Sequence, residues 1–323
     1  MKREVFWKNP GYKVRKPLRE DISCKYLIVG GGITGVSIAY FLAKRGEKDV
    51  VLIEKGFIGS GATGRAAGIL TPDAEIDLKD SIKLYGNEKG LFYWYATLDG
   101  VHTIKSIVKK NKVRCDFEND PTIYGEFNYK TFCNVIDEYK IQKKFHQKVK
   151  LLLKGDLEKE IHTKIFKDAI LAHTGASINP LMFVQNLSKI AEKNGVKIFE
   201  MTSLKGINRN TAITSNGRIK FNKIILAIDS NINDKNVLAT KSTIAITKKL
   251  NKKQLDEVGL KHRGILWDAK KQYDYLKLTN DDRLLVGFGE KVVYKKENKI
   301  KLHKPHLKEI KSFLKRLFPA INF

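Results

Sequence analysis

The first stretch of this 323-residue chain with the makings of a ligand site is Gly30-Gly31-Gly32-Ile33-Thr34-Gly35. It fits the pattern G-x-G-x-x-G. Gly30 allows a tight turn, Gly32 lets backbone approach a pyrophosphate, and Gly35 lets the following helix lie close to the preceding strand. The start of that helix offers unpaired N–H groups and a partial positive charge to phosphates. Glu54 follows about 20 residues later, where a carboxylate accepts both hydroxyls of an adenosine ribose and repels a 2′-phosphate, which disfavours NADP. Almost at once comes a second loop of small residues, Gly59-Ser60-Gly61-Ala62-Thr63-Gly64-Arg65-Ala66-Ala67-Gly68, whose backbone donors could wrap a phosphate-bearing cofactor.

These loops need elements to hold them, and the flanking pattern supplies them. Tyr26-Leu27-Ile28-Val29 reads as a buried parallel strand, Val36 to Ala43 recurs at helical spacing, Gly46 stops that helix, and Val50-Val51-Leu52-Ile53 is a second buried strand. Together they make a βαβ unit. Further on, Asp77 to Asn111 has helical periodicity with aromatics (Tyr85, Phe92, Tyr93, Trp94, Tyr95) expected in a core. Val184, Leu187, Ile190 and Ala191 mark another helix, ended by Asn194-Gly195. Strands are expected at Val196–Phe199 and Ile224–Ala227, and a hairpin from Tyr275–Leu278 to Leu284–Val286 turns at Asp281-Asp282. Residues 1–24, basic and containing Pro10 and Pro17, read as an irregular lead-in.

Composition bounds the rest. Hydrophobic residues are 42% of the chain, enough for a sizeable core, and the length suits two domains. The net charge is +26, with 27 basic against 11 acidic residues in 201–323. Most of the excess is dispersed lysine, which reads as a solvated surface before it reads as nucleic-acid recognition. Cys24, Cys115 and Cys133 show no CxxC spacing, so no metal or redox motif is expected and a reducing, cytoplasmic compartment is. The first 20 residues lack the apolar segment of a secretory signal. Tyr26 to Ala43 is uncharged, but its glycines break it where a turn belongs, so no membrane span is expected.

The segments KYLIVGGGITGVSIAYFLAKRG, VVLIEKG and SGATGRAAGIL resemble the D-amino acid oxidase and glycine oxidase-like family of FAD-dependent oxidoreductases. Gly175-Ala176-Ser177-Ile178-Asn179-Pro180 resembles the family's crossing from substrate domain back to FAD domain. Phe199 to Leu204 resembles its strand near the adenine. Leu266-Trp267-Asp268, Tyr273-Asp274-Tyr275 and Asp282 to Gly287 resemble the hairpin of the gamma-glutamylputrescine oxidase-like branch. The resemblance implies an α/β, Rossmann-like FAD-binding domain (25–100 and 175–230) interleaved with a smaller α+β substrate domain (101–174 and 231–323). It implies an FAD site drawn from Gly30, Gly32, Ile33, Thr34, Gly35, Glu54, Lys55, Ala62, Thr63, Arg65, Gly68, Ile69 and Leu204, with Tyr275 facing the substrate or packed on its hairpin.

The implied activity is oxidation of an amine or amino acid by hydride transfer to flavin N5, with oxygen or another acceptor as electron sink. The cofactor carries the chemistry, so no catalytic dyad is expected. His262 and Arg263 read as a surface loop pair. After Leu317-Phe318-Pro319-Ala320-Ile321, family members continue with a stretch that completes the FAD domain and includes an arginine for the substrate carboxylate. The sequence stops at Phe323, so that arginine is not assigned, and the expectation divides between a fragment or truncated product and a chain completed by a partner. Two rival readings are an oxidase acting on a modified tRNA base, motivated by the charge, and a dinucleotide-binding fragment without turnover.

Overall fold

A computed structural model describes residues 4–72, 76–126, 132–163, 165–166, 168–231, 236–237, 239–269, 274–293 and 304–321. Tyr273, part of one quoted motif, lies outside them. The chain divides into two compact units, residues 1–68, 110–115 and 179–237, and residues 69–109, 116–178 and 238–323. The second is the larger and takes all but the last two residues of the long helix Leu78–Asn111.

In the first unit a six-stranded sheet runs in the order Lys197–Phe199, Val50–Ile53, Ile22–Val29, Arg218–Leu226, Thr211–Thr214, Leu204–Asn208. The first four are parallel and the last two pairings antiparallel. Val50–Ile53 is buried at every position, as an apolar run between two covered faces must be. One face packs Leu18, Leu27, Val51, Ile53, Ile219 and Phe221 together. Helices Ile33–Lys44 and Pro180–Lys193 pack on each other. The second starts on Asn179, whose side chain accepts from Met182 N at 3.1 Å, and has Pro180 in its first turn, where a missing N–H costs nothing. The βαβ unit and these helices match the sequence expectation. The first strand begins earlier than its apolar run, since Ile22 to Cys24 already pair with Ile219 to Phe221.

The lead-in is irregular up to Ile22 but firmly fixed. Glu200, fully buried, accepts from Tyr12 Oη at 2.6 Å, from Ile58 N at 2.5 Å and from Arg15 N. Arg15 also grips Glu192 with two nitrogens, at 2.7 and 2.5 Å. A carboxylate taken out of water needs such donors to offset its lost hydration. With three donors and a cation around it, Glu200 anchors the lead-in to its own unit.

The second unit is built on a seven-stranded sheet in the order Ala239–Ile246, Leu284–Val293, Tyr275–Leu278, Ile265–Asp268, Thr122–Gly125, Ala169–Ala172, Val149–Leu152. The expected hairpin is present, with Asp282 at its turn in the left-handed region (φ 63°). One face of the sheet carries Ile123, Leu171, Leu266, Leu276 and Leu284 into a core closed by Ile310, Phe313, Leu314 and Leu317 of the helix Lys304–Leu317. By strand alternation Tyr124, Ile170, Trp267, Tyr275 and Lys277 face the other way.

One expectation fails here. Tyr85, Phe92, Tyr93 and Tyr95 are exposed (50%, 68%, 48% and 42%), not core. The helix kinks at Gly86 (φ 78°, ψ 170°), so a single period does not run through it, and the aromatics beyond the kink turn outward. Instead it is Gly90 that is buried, against the backbone of Ile82.

Candidate functional site: the glycine loops

The strand Ile22–Val29 ends in Gly30, whose amide donates to Ile53 O at 2.8 Å. Gly30 has φ 114°, and a Cβ there would stand 2.2 Å from Ala227 O on the neighbouring strand's end. At Gly35 a Cβ would stand 1.9 Å from Gly30 O. A side chain at Gly35 would push the helix Ile33–Lys44 off the loop, and one at Gly30 would collide with the backbone at Ala227. Gly35 therefore sets how closely the helix start sits over the loop, and Gly30 how closely the loop passes the end of the neighbouring strand.

That helix start carries no side-chain cap of its own from Gly32. Thr63, from the second loop, accepts from Ile33 N through Oγ1 at 2.9 Å, which ties the two loops together. Gly59 N donates to Gly31 O at 2.9 Å and adds a second tie. Among the described residues the amides of Gly32 and Thr34 have no hydrogen-bond partner, so the helix start keeps donors to offer.

Glu54 ends its strand with its carboxylate facing the glycine loop. It accepts from Gly31 N at 2.7 Å and from Gly56 N at 2.8 Å, with Ser60 Oγ at 3.3 Å. A carboxylate has about four acceptor sites, so two backbone bonds fix its direction and leave capacity for a ligand's hydroxyls. Alongside, Thr202 N donates to Glu54 O and Met201 N to Gly56 O, both at 2.8 Å.

The remaining predicted residues take different places. Thr34, Lys55, Ala62 and Arg65 are exposed, Gly68 is buried with φ 71°, and Arg65 is turned back onto the carbonyls of Ser60 and Gly61. Phe199 to Leu204 is not one strand: it breaks at the buried Glu200, and Leu204 opens the edge strand with its side chain against the core. Ile69 belongs to the second unit, in a short ladder in which it pairs with Ser177. Tyr275 is also in the second unit. It stands opposite Trp267 and Gly287, its ring so close over Gly287 that a Cβ there would overlap it. Sequence reasoning missed Thr63's bond to the helix start and the Tyr12–Arg15–Glu200 cluster.

A dinucleotide-type cradle is common to several enzyme classes, and comparison with known proteins decides among them. Residues 25–322 match the FAD dependent oxidoreductase family of the D-amino acid oxidase type. The chain belongs to that family. It is 28% identical over 287 residues to gamma-glutamylputrescine oxidoreductase of Escherichia coli (strain K12), covering 86% of this chain and 66% of that protein. The chain thus spans just under two thirds of that relative's length. Its fold is that of L-proline dehydrogenase from P. horikoshii (TM-score 0.72, 22% identity, 94% of this chain and 78% of that one). Glycine oxidase from Geobacillus kaustophilus is similar too (TM-score 0.73, 17% identity, 92% and 78%). Among the described residues no helix is long and apolar enough to cross a membrane, and no group of metal-ligating side chains gathers.

Proposed function

We propose that this chain binds FAD at the glycine loops and oxidises an amine or amino acid. The observation that carries the reading is the Glu54 carboxylate, aimed by Gly31 N and Gly56 N beside a helix start with free amides, over a loop that has no room for a side chain at Gly30 or Gly35. In this reading the amides of Gly32 and Thr34 meet the pyrophosphate, Glu54 takes the ribose hydroxyls, and Thr63 holds the second loop against the first. Tyr275 supplies a hydroxyl to the substrate. FAD bound there would supply the two-electron acceptor for oxidation of the carbon next to the substrate nitrogen, with oxygen or another acceptor as the final electron sink. What the chain contributes is orientation and electrostatics. The names of the relatives, an amine-compound oxidoreductase and two amino-acid enzymes, point to the same substrate class. Nothing in the fold or in those names favours a modified tRNA base or an inactive fragment.

The test is the visible spectrum of the protein purified with added FAD. A flavin spectrum that survives gel filtration, and is lost in Gly35→Val, is expected. A colourless protein at saturating FAD refutes the reading.

A further inference from the structure

The second unit contains a cavity of about 50 Å³ on the sheet face opposite its core, lined by Asp77, Trp94, Tyr124, Glu138, Gln142 and Trp267 among others. A single water needs roughly 10–15 Å³ by this kind of measure, so the space admits a small organic group. Three of the walls are aromatic. Tyr124 and Trp267 stand opposite each other in neighbouring strands with ring centroids 5.9 Å apart. Trp94 comes from the long helix, and its Nε1 is buried with no hydrogen-bond partner among the described residues.

Two carboxylates complete the lining. Glu138 is buried, accepting from Gln142 Nε2 at 2.7 Å, Lys79 N at 2.9 Å and Leu78 N at 3.2 Å. Asp77 accepts from Tyr124 Oη at 3.0 Å. Among the described residues neither carboxylate forms an ion pair, although Asp77 feels the charges of Lys79 and Asp80, and Glu138 that of Asp77. Burial raises the pKa of both. Lys148, which also contributes to the lining, is an exposed residue.

Buried acids without a counter-ion are costly, and aromatic faces attract cations. An orphaned indole N–H asks for an acceptor. One ligand chemistry answers all three. We propose that this cavity recognises an organic ammonium group with a hydrogen-bond-accepting oxygen nearby, so that the substrates of this chain are amines with a second, cationic end. The ammonium takes the place between Asp77, Glu138 and the aromatic faces, and the oxygen accepts from Trp94. The link to substrate rests on the reading under Proposed function, because it depends on Tyr275, which stands opposite Trp267 in the strand register.

The test is calorimetric titration of the purified chain, as it comes with its flavin, with 4-aminobutanamide and with butanamide, its uncharged counterpart. Saturable binding of the first and none of the second is expected. Asp77→Asn should weaken binding about tenfold, and so should Trp94→Phe, which keeps an aromatic wall but removes the N–H. Equal binding of both amides, no binding of either, or an unchanged affinity in Asp77→Asn overturns the proposal. Glu138 is not the test residue, because it also holds the helix start at Leu78 and Lys79. The readout is binding, so the two readings fail separately. A colourless protein that still binds the cation through Asp77 removes the oxidase reading alone. An active oxidase whose KM for a diamine is unchanged by Asp77→Asn removes this one alone.

Discussion

Replacing Glu138 by glutamine should change how stability depends on pH, in a window that the structure defines. Burial, with the charge of Asp77 adding to it, raises the Glu138 carboxyl from 4.5 to about 7. In the unfolded chain the group titrates near its ordinary value. Between those two pH values the unfolded state gives up its proton first, so it binds fewer protons than the folded state, and stability falls as pH rises. Above the window the deprotonated carboxylate sits in a place that penalises it. The difference between 4.5 and about 7, at about 1.4 kcal/mol per pH unit, comes to about 3.5 kcal/mol, of which about 3 kcal/mol falls between pH 4.5 and 8.5. Glutamine does not titrate, so the variant lacks this component. It also sets an N–H₂ against Lys79 N, a cost that is the same at every pH and only offsets the curve. Urea unfolding of both proteins, followed by circular dichroism from pH 4.5 to 8.5, isolates the slope. The variant should gain on the wild type by about 3 kcal/mol across that range. Two parallel curves, agreeing in shape within about 0.5 kcal/mol, would refute the argument that this carboxyl is buried and uncompensated.

Other substitutions test other parts. Gly30→Ala, which must avoid Ala227 O from a left-handed backbone, should abolish flavin retention on gel filtration, and normal retention would show that the cradle tolerates a side chain. Arg15→Ala leaves the buried Glu200 without its cation and should cost about 3–5 kcal/mol in a denaturant melt; a loss under 1 kcal/mol would mean that the lead-in is not anchored this way. Phe92→Ser should change stability by no more than about 0.5 kcal/mol, whereas a core phenylalanine would cost several. Binding of 4-aminobutanamide should strengthen as pH rises through about 7, because the cation favours the ionised form of Glu138.

What was legible in the sequence was whatever local geometry dictates. Gly30, Gly32, Gly35 and Glu54 can be read because a strand, a turn and a helix within 30 residues leave few alternatives. The hairpin at Asp281-Asp282 can be read for the same reason. The lead-in's anchoring could not, because Arg15 meets Glu200 across 185 residues and neither has a pattern of its own. Residues 85–95 misled because periodicity carries through a kink on paper but not at Gly86. Phe199 to Leu204 looked continuous because a buried charge in a turn resembles a polar position in a strand. The acidic, aromatic cavity draws on residues from Asp77 to Trp267, and only folding brings them together.

The interleaving of the two units has a consequence for how the chain is made. The central strand Ile22–Val29 has Arg218–Leu226 as one of its two neighbours, with Ile22 opposite Ile219. A ribosome adding roughly 5–20 residues per second needs about 10–40 s to travel between them. Throughout that interval one edge of this central strand has no partner, while the residues that belong to the other unit emerge and begin their own sheet. Pairings so distant in sequence also form slowly. The nascent chain should therefore be a client for chaperones that shield strand edges, and its yield in a cell should respond more to the speed of translation and to chaperone supply than its final stability would suggest.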